Sequence, residues 1–125
     1  AFGLRARQES ANAISFTPSW RRLDLSGSYG GKVERTGNAG ARARFAFTGR
    51  GVAWVATKSA SRGSATVFVD GVEVKTVDLS RATRRTRMVV WRMNWTTVDS
   101  HVVRIVVAGT AGHPFVDVDA FAVQK

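Results

Sequence analysis

The sequence contains no cysteine, and that absence excludes a disulfide framework, a thiolate zinc site and a cysteine nucleophile together. Histidine occurs only as His101 and His113, with no partner at metal-ligand spacing around either. Acids are scarce: 9 Asp plus Glu stand against 19 Lys plus Arg, a formal charge of +10. No apolar run approaches the roughly 20 residues of a membrane-spanning helix. No repeat period marks a propeller or solenoid. Helical periodicity is nearly missing too. At 125 residues the chain is too short for two domains and long enough to bury one core. Its 44% apolar content belongs to a folding chain and not to a disordered basic tail. It starts at Ala1 with no start Met or signal peptide, and reads as a module excised from something longer. Arginine outnumbers lysine 15 to 4, a bias more economically explained by GC-rich coding than by phosphate contacts.

What is present is alternation. From Ala41 to Thr48 the odd positions (Ala41, Ala43, Phe45, Phe47) predict a buried face and the even ones (Arg42, Arg44, Ala46, Thr48) a wet one. Thr48-Gly49-Arg50-Gly51 then reads as a turn into Val52–Thr57, apolar on both faces and so central in a layered structure. Asp70-Gly71, between Ser64–Val69 and Val72–Leu79, is a strong type I′ hairpin signal. Met88–Trp95 and His101–Ala108 read as an antiparallel pair joined by residues 96–100, and Val116–Val123 as a last strand. Ala13–Phe16 and Trp20–Leu25 are weaker strand candidates. Both prolines, Pro18 and Pro114, fall in loops, where a sheet tolerates them. These segments predict an all-β antiparallel β-sandwich of jelly-roll type with about eight strands. Residues 13–125 form the domain, and 1–12 a linker or edge segment.

Trp20, Gly40-Ala41, Phe45-Ala46-Phe47-Thr48-Gly49, Gly51-Val52-Ala53-Trp54-Val55 and Val67-Phe68-Val69-Asp70-Gly71 together carry a family resemblance, as do His101-Val102-Val103-Arg104-Ile105 and Val118-Asp119-Ala120-Phe121-Ala122-Val123. From 20 to 123 the chain resembles the galactose-binding-like, carbohydrate-binding-module type of accessory β-sandwich in secreted actinobacterial proteins. The resemblance implies the fold, a secreted or cell-surface setting and a noncatalytic role. Because members of that superfamily bind sugars, phospholipids or proteins, the ligand does not follow from it. It also implies that Asp119 fixes a loop by accepting backbone hydrogen bonds. Many such modules tie their first and last strands together with calcium, for which Glu9 and Asp119 are the only well-placed acids here. Calcium wants six to eight oxygens, and Gln8-Glu9-Ser10 offers one carboxylate among arginines. These residues favour no metal and no other cofactor, with a structural calcium left open.

Asp117 and Asp119 share a strand face, but as a glycosidase pair they would need a cleft between them. Asp117 reads as solvated, and His101 as a hydrogen-bonded structural residue. Trp54, Phe45, Phe47, Phe68 and Phe121 read as core. Trp91 and Trp95 share parity with Val89 and Met93; Trp91 fits core, while Trp95, near the strand end, fits exposure. Tyr29 in the Gly/Ser-rich stretch is the aromatic most expected at the surface, with Trp20 the other candidate. Asn94-Trp95-Thr96 matches a glycosylation sequon without further support. Arg81, Arg84, Arg85 and Arg87 form the sharpest charge run.

These residues lead to an expected polysaccharide or cell-wall-glycan site: Tyr29 and Trp95 for stacking, and Arg84, Arg85 and Arg87 for charge-assisted hydrogen bonds. A neighbouring catalytic domain of the parent protein is a further possible partner, and membrane insertion is not expected. A spacer or protein-docking domain without a small ligand is the alternative. Polyanion or nucleic-acid binding comes third, disfavoured because no stacking aromatics interleave with the arginines.

Overall fold

A computed structural model describes the backbone of residues 4–8 and 14–125 and the side chains of 14–28 and 30–125. In chain order the strands are β1 (Leu4–Gln8), β2 (Ile14–Phe16), β3 (Arg21–Asp24), β4 (Lys32–Thr36), β5 (Arg42–Lys58), β6 (Ser64–Val69), β7 (Val72–Asp78), β8 (Arg85–Val107), β9 (Val116–Val118) and β10 (Ala120–Gln124). A single 3-10 turn, Tyr29–Gly31, precedes β4. One sheet has the order β1-β10-β5-β8-β6-β7, with β2 also on β5, and the other the order β3-β4-β9. Every pairing between named strands is antiparallel. The expected antiparallel β-sandwich is present.

Its spine is the pairing of β5 with β8, which runs from Arg42↔Val106 to Lys58↔Arg85. A straight strand of 17 residues would be roughly 55 Å long. Yet β6 begins at Ser64 and lies beside the far end of the ribbon, Ala65 opposite Val107. Residues 59–63 can bridge at most about 20 Å. The ribbon therefore folds over, and its two halves face each other across the core. Phe45 from the first half stacks on Phe121, whose backbone pairs with Trp54 of the second half (ring centroids 4.7 Å apart). Trp54, Phe45, Phe121 and Ile105 have no exposed surface at all.

The fold-over corrects two expectations. Gly49-Arg50-Gly51 does not reverse the chain: strand pairing continues through it, with a register shift between Gly49 and Gly51. Met88–Trp95 and His101–Ala108 do not pair with each other either. They are two stretches of β8, each laid against β5, and residues 95–98 are the surplus on the outside of the bend. Glycine is required here by space. A Cβ on Gly49 would lie 2.6 Å from the carbonyl oxygen of Gln124, and one on Gly51 2.6 Å from Asn94 Oδ1.

A second register shift, between Trp54 and Val55, breaks the expected parity of β8. Trp91 and Met93 sit opposite Trp54 and Val52 and pack on the core. Val89 is thrown outward and is half exposed. The Asp70-Gly71 hairpin is as expected, with φ of +52° and +84°, the doubly left-handed pair of a type I′ turn. The last expected strand divides at Asp119, where the chain passes from the smaller sheet to the larger. Leu4–Gln8 pairs with β10 at the edge of the larger sheet.

Gly49→Ala forces a methyl group against immovable backbone. It is expected to cost about 1–3 kcal/mol, a drop in melting temperature of about 4 °C per kcal/mol for a chain this size. Thermal unfolding followed by circular dichroism checks this; an unchanged midpoint would mean that the bend tolerates a side chain.

Candidate functional site

Where β5 hands over to β6, three segments converge: the β3–β4 hairpin, residues 59–62 and the loop before β8. They enclose a cleft of about 260 Å³ lined by Leu23, Leu25 and Val33 on its apolar side and by Asp24, Arg35, Ser59, Ser61, Arg62 and Arg84 on its polar side. Beneath it lies a buried ion pair. Arg62 donates from Nε and Nη2 to one carboxylate oxygen of Asp117 (3.1 and 2.6 Å), and the Thr57 backbone N–H donates to the other (2.8 Å). Asp117 is completely buried and is not the solvated residue its sequence position suggested. β9 is buried at all three of its residues, so both of its faces are covered. Burial raises the Asp117 carboxyl above the ordinary carboxylate range, against the pull of Arg62 and the Thr57 N–H. Committed to these donors, Asp117 cannot reach a substrate as half of a glycosidase pair.

Arg35 lies over the ring of Phe115, 4.0 Å from its centroid. Burial, and then the charge of Arg62, push its guanidinium down from its ordinary value. The cleft thus holds two guanidiniums beside the neutralised pair, Arg35 and Arg84, with Asp24 already bonded to Lys32.

The five expected site residues do not form one site. Arg84 lines the cleft. Arg85 and Arg87 follow it on β8 and are exposed, Arg87 at a left-handed φ of +54°, uncommon for a side-chain-bearing residue. The Tyr29 side chain lies outside the described residues, but its loop comes close, since a Cβ on Gly27 would touch Thr86 Oγ1 at 2.6 Å. Trp95 is elsewhere: from Arg85 to Trp95 the extended strand covers on the order of 30 Å. There it stacks on His101 (centroids 3.8 Å apart, planes 10° apart) and touches Phe47. His101 Nδ1 lies 2.6 Å from Asp70 Oδ2, beside a groove of about 330 Å³. Trp20 is buried against Phe16.

Sequence reading missed Arg35, Arg62 and Asp117. Arg62, between β5 and β6, and Asp117, on β9, pair across 55 positions, and neither segment gives a local sign of it. Among the described residues no group of three His, Cys, Asp or Glu side chains gathers as a metal set. Asp119 is buried and already partnered, and Glu9 lies outside the described residues.

No protein-family model matches the sequence, and no curated protein matches it. Solved structures do match. A family 35 carbohydrate-binding module from an environmental isolate superposes with a TM-score of 0.70 at 19% identity, covering 97% of this chain and 93% of that one. The fold is that of these modules. A family 35 module from Clostridium thermocellum agrees (TM-score 0.62, 15% identity, 97% and 98% covered). A family two carbohydrate esterase from Cellvibrio japonicus matches at 0.73 with 14% identity; this chain is 99% covered but spans only 34% of that enzyme.

Two outcomes follow from these side chains. Arg62→Ala leaves a buried carboxylate unpaired and is expected to cost about 3–5 kcal/mol, whereas Arg62→Met with Asp117→Leu recovers most of that loss. Urea denaturation of the three proteins checks it. At the other end, hydrogen bonds from His101 and then from the Val102 N–H hold the Asp70 carboxyl below its ordinary range. Its stabilising contribution is therefore present above the unfolded value near ~3.9 and lost as pH falls through the folded one. Asp70→Asn should be less stable than wild type at pH 7, with the gap closing in acid; a gap constant down to about pH 2 would contradict this linkage.

Proposed function

We propose that this chain is a noncatalytic carbohydrate-binding module that takes polysaccharide at the cleft between the β3–β4 hairpin, residues 59–62 and Arg84. The observation that carries the reading is the composition of that cleft. An apolar wall (Leu23, Leu25, Val33) faces a polar one with two serines, Asp24 and three guanidiniums, of which Arg62 is held by Asp117, on a fold shared with modules named as carbohydrate-binding. Sugar rings need this pairing: apolar surface for their C–H faces and donors for their hydroxyls. The cationic excess favours glycans bearing carboxylates, such as uronic-acid polymers, over neutral ones. Tyr29 supplies the stacking ring from the neighbouring loop, and Arg85 and Arg87 extend the cationic rim. Trp95 holds His101 and the bend in place and takes no direct part. The setting we propose is a larger secreted or cell-surface bacterial protein, in which the module holds a neighbouring catalytic domain near its substrate.

A screen against glycans and cell-wall polymers, at low salt and again near ~0.5 M salt, tests the reading. Binding to an acidic glycan is expected to persist in part at high salt. Arg84→Ala and Tyr29→Ala should each weaken it about tenfold, while Trp95→Ala should lower the melting temperature and leave affinity within about twofold. Binding to every polyanion alike, gone at high salt, would reduce the interaction to net charge and leave a structural spacer as the better account.

A further inference from the structure

Beside β2, the outer face of the larger sheet brings together Arg42, Arg44 and Arg104, with no acid between them among the described residues. Arg42 and Arg44 alternate on β5, so both side chains leave the same face. Arg104 of β8 sits directly opposite Arg44 in register, and Ser15 of β2 flanks Arg44 on the other side. All three arginines are exposed, and none makes an ion pair among the described residues. The next positions across the face are Phe68 on β6, which is half-buried on this outer side and not in the core where its sequence placed it, and then Glu73 on β7. That acid is two strand spacings from Arg104, about 10 Å.

Like charges directly opposite each other destabilise a sheet. Elsewhere three cations lie against acids, Arg22 on Glu34, Lys32 on Asp24 and Arg62 on Asp117. The face is also shaped. Ser15, Phe16, Thr17, Arg42, Arg44 and Arg104 line a groove of about 280 Å³. Its rim is fixed where β2 ends. The Thr17 backbone N–H donates to the Arg42 carbonyl (3.1 Å), and the Arg42 N–H donates to Thr17 Oγ1 (3.1 Å). Rigid guanidinium forks beside hydroxyls and an aromatic edge suit an oxyanion carried on a sugar ring.

The geometry points to a second binding surface in this groove, for the sulfate or carboxylate groups of an anionic polysaccharide. It shares no residue with the cleft near Arg84 and does not rest on that cleft binding anything. One acidic chain engaging both surfaces would gain avidity that neither provides alone.

Calorimetric titration of the full 125-residue chain at about 0.15 M salt tests this. The probes are a heparin-derived oligosaccharide for sulfate, an oligogalacturonate for carboxylate, and duplex DNA for phosphate. Arg44→Gln with Arg104→Gln should weaken the preferred oligosaccharide about tenfold. Its melting temperature should be no lower than wild type, because repulsion is relieved. Arg50→Gln with Arg81→Gln removes the same charge elsewhere and should change affinity less than about twofold. The relative size of the loss for sulfate and carboxylate probes identifies the oxyanion. Equal losses in the two double variants would overturn the proposal in favour of bulk charge. A loss seen only with Arg84→Ala would overturn it while leaving the cleft reading intact, and tighter binding of DNA than of either oligosaccharide would overturn it in favour of a nucleic-acid surface.

Discussion

Everything in this molecule depends on a long two-stranded ribbon folded back on itself. β5 and β8 stay paired on both sides of the bend, so a single pairing supplies two neighbouring strands to each half of the structure. The bend is possible because Gly49 and Gly51 offer no Cβ to the backbone and side chains packed against them, and because β8 absorbs the longer outer path with residues 95–98. Phe45, Trp54 and Phe121 fill the space between the halves. The bend also decides where the loops lie. By returning Lys58 to the neighbourhood of Ser64, it gathers residues 59–62 and the loop before β8 around one cleft.

Charge is arranged around this frame in three different ways. Arg62 and Asp117 are enclosed together, and a pair of that kind adds little stability when intact and costs much when broken. It fixes how β9 sits against the end of β5 through the Thr57 N–H. Arg85, Arg87 and Arg92 lie on the part of β8 that has β5 as its only sheet neighbour among the described residues. Charges on such an edge discourage pairing with another chain. The outer-face arginines near β2 are neither enclosed nor at an open edge, which sets them apart.

Period-two alternation made much of the sheet legible. Ala41, Ala43 and Phe45 are buried as their spacing requires, Val52–Thr57 is buried on both faces, and Asp70-Gly71 turns as its residues demand. What alternation could not reveal is partnership. Two strands that continue each other across a bulge read the same as two strands of a hairpin, so β8 looked like two strands. β4 offers a single strong apolar residue, Val33, and is held by its neighbours β3 and β9 more than by its own pattern. The candidate site was less legible still. Arg84 stood out in a charge run, but the serines, Arg35 and the Arg62–Asp117 pair come together only through folding. Trp95 looked like a surface platform because parity says nothing about the imidazole that covers one of its faces.

The pairing of β1 with β10 has a consequence for how the chain reaches its native state. Leu4 lies opposite Gln124, so this part of the sheet joins segments about 120 residues apart. Arg42 likewise meets Val106, and Thr36 meets Val116. Among the described residues, the local sheet contacts are the β6–β7 and β3–β4 hairpins. A topology so rich in distant partners must close large loops before most of its contacts can form, which places folding in the millisecond-to-second range and not the microsecond range of helical bundles. β6–β7, with its type I′ turn, can form early on β8, but β10 cannot take its place beside β5 until residues 120–124 have followed β5 by more than sixty positions.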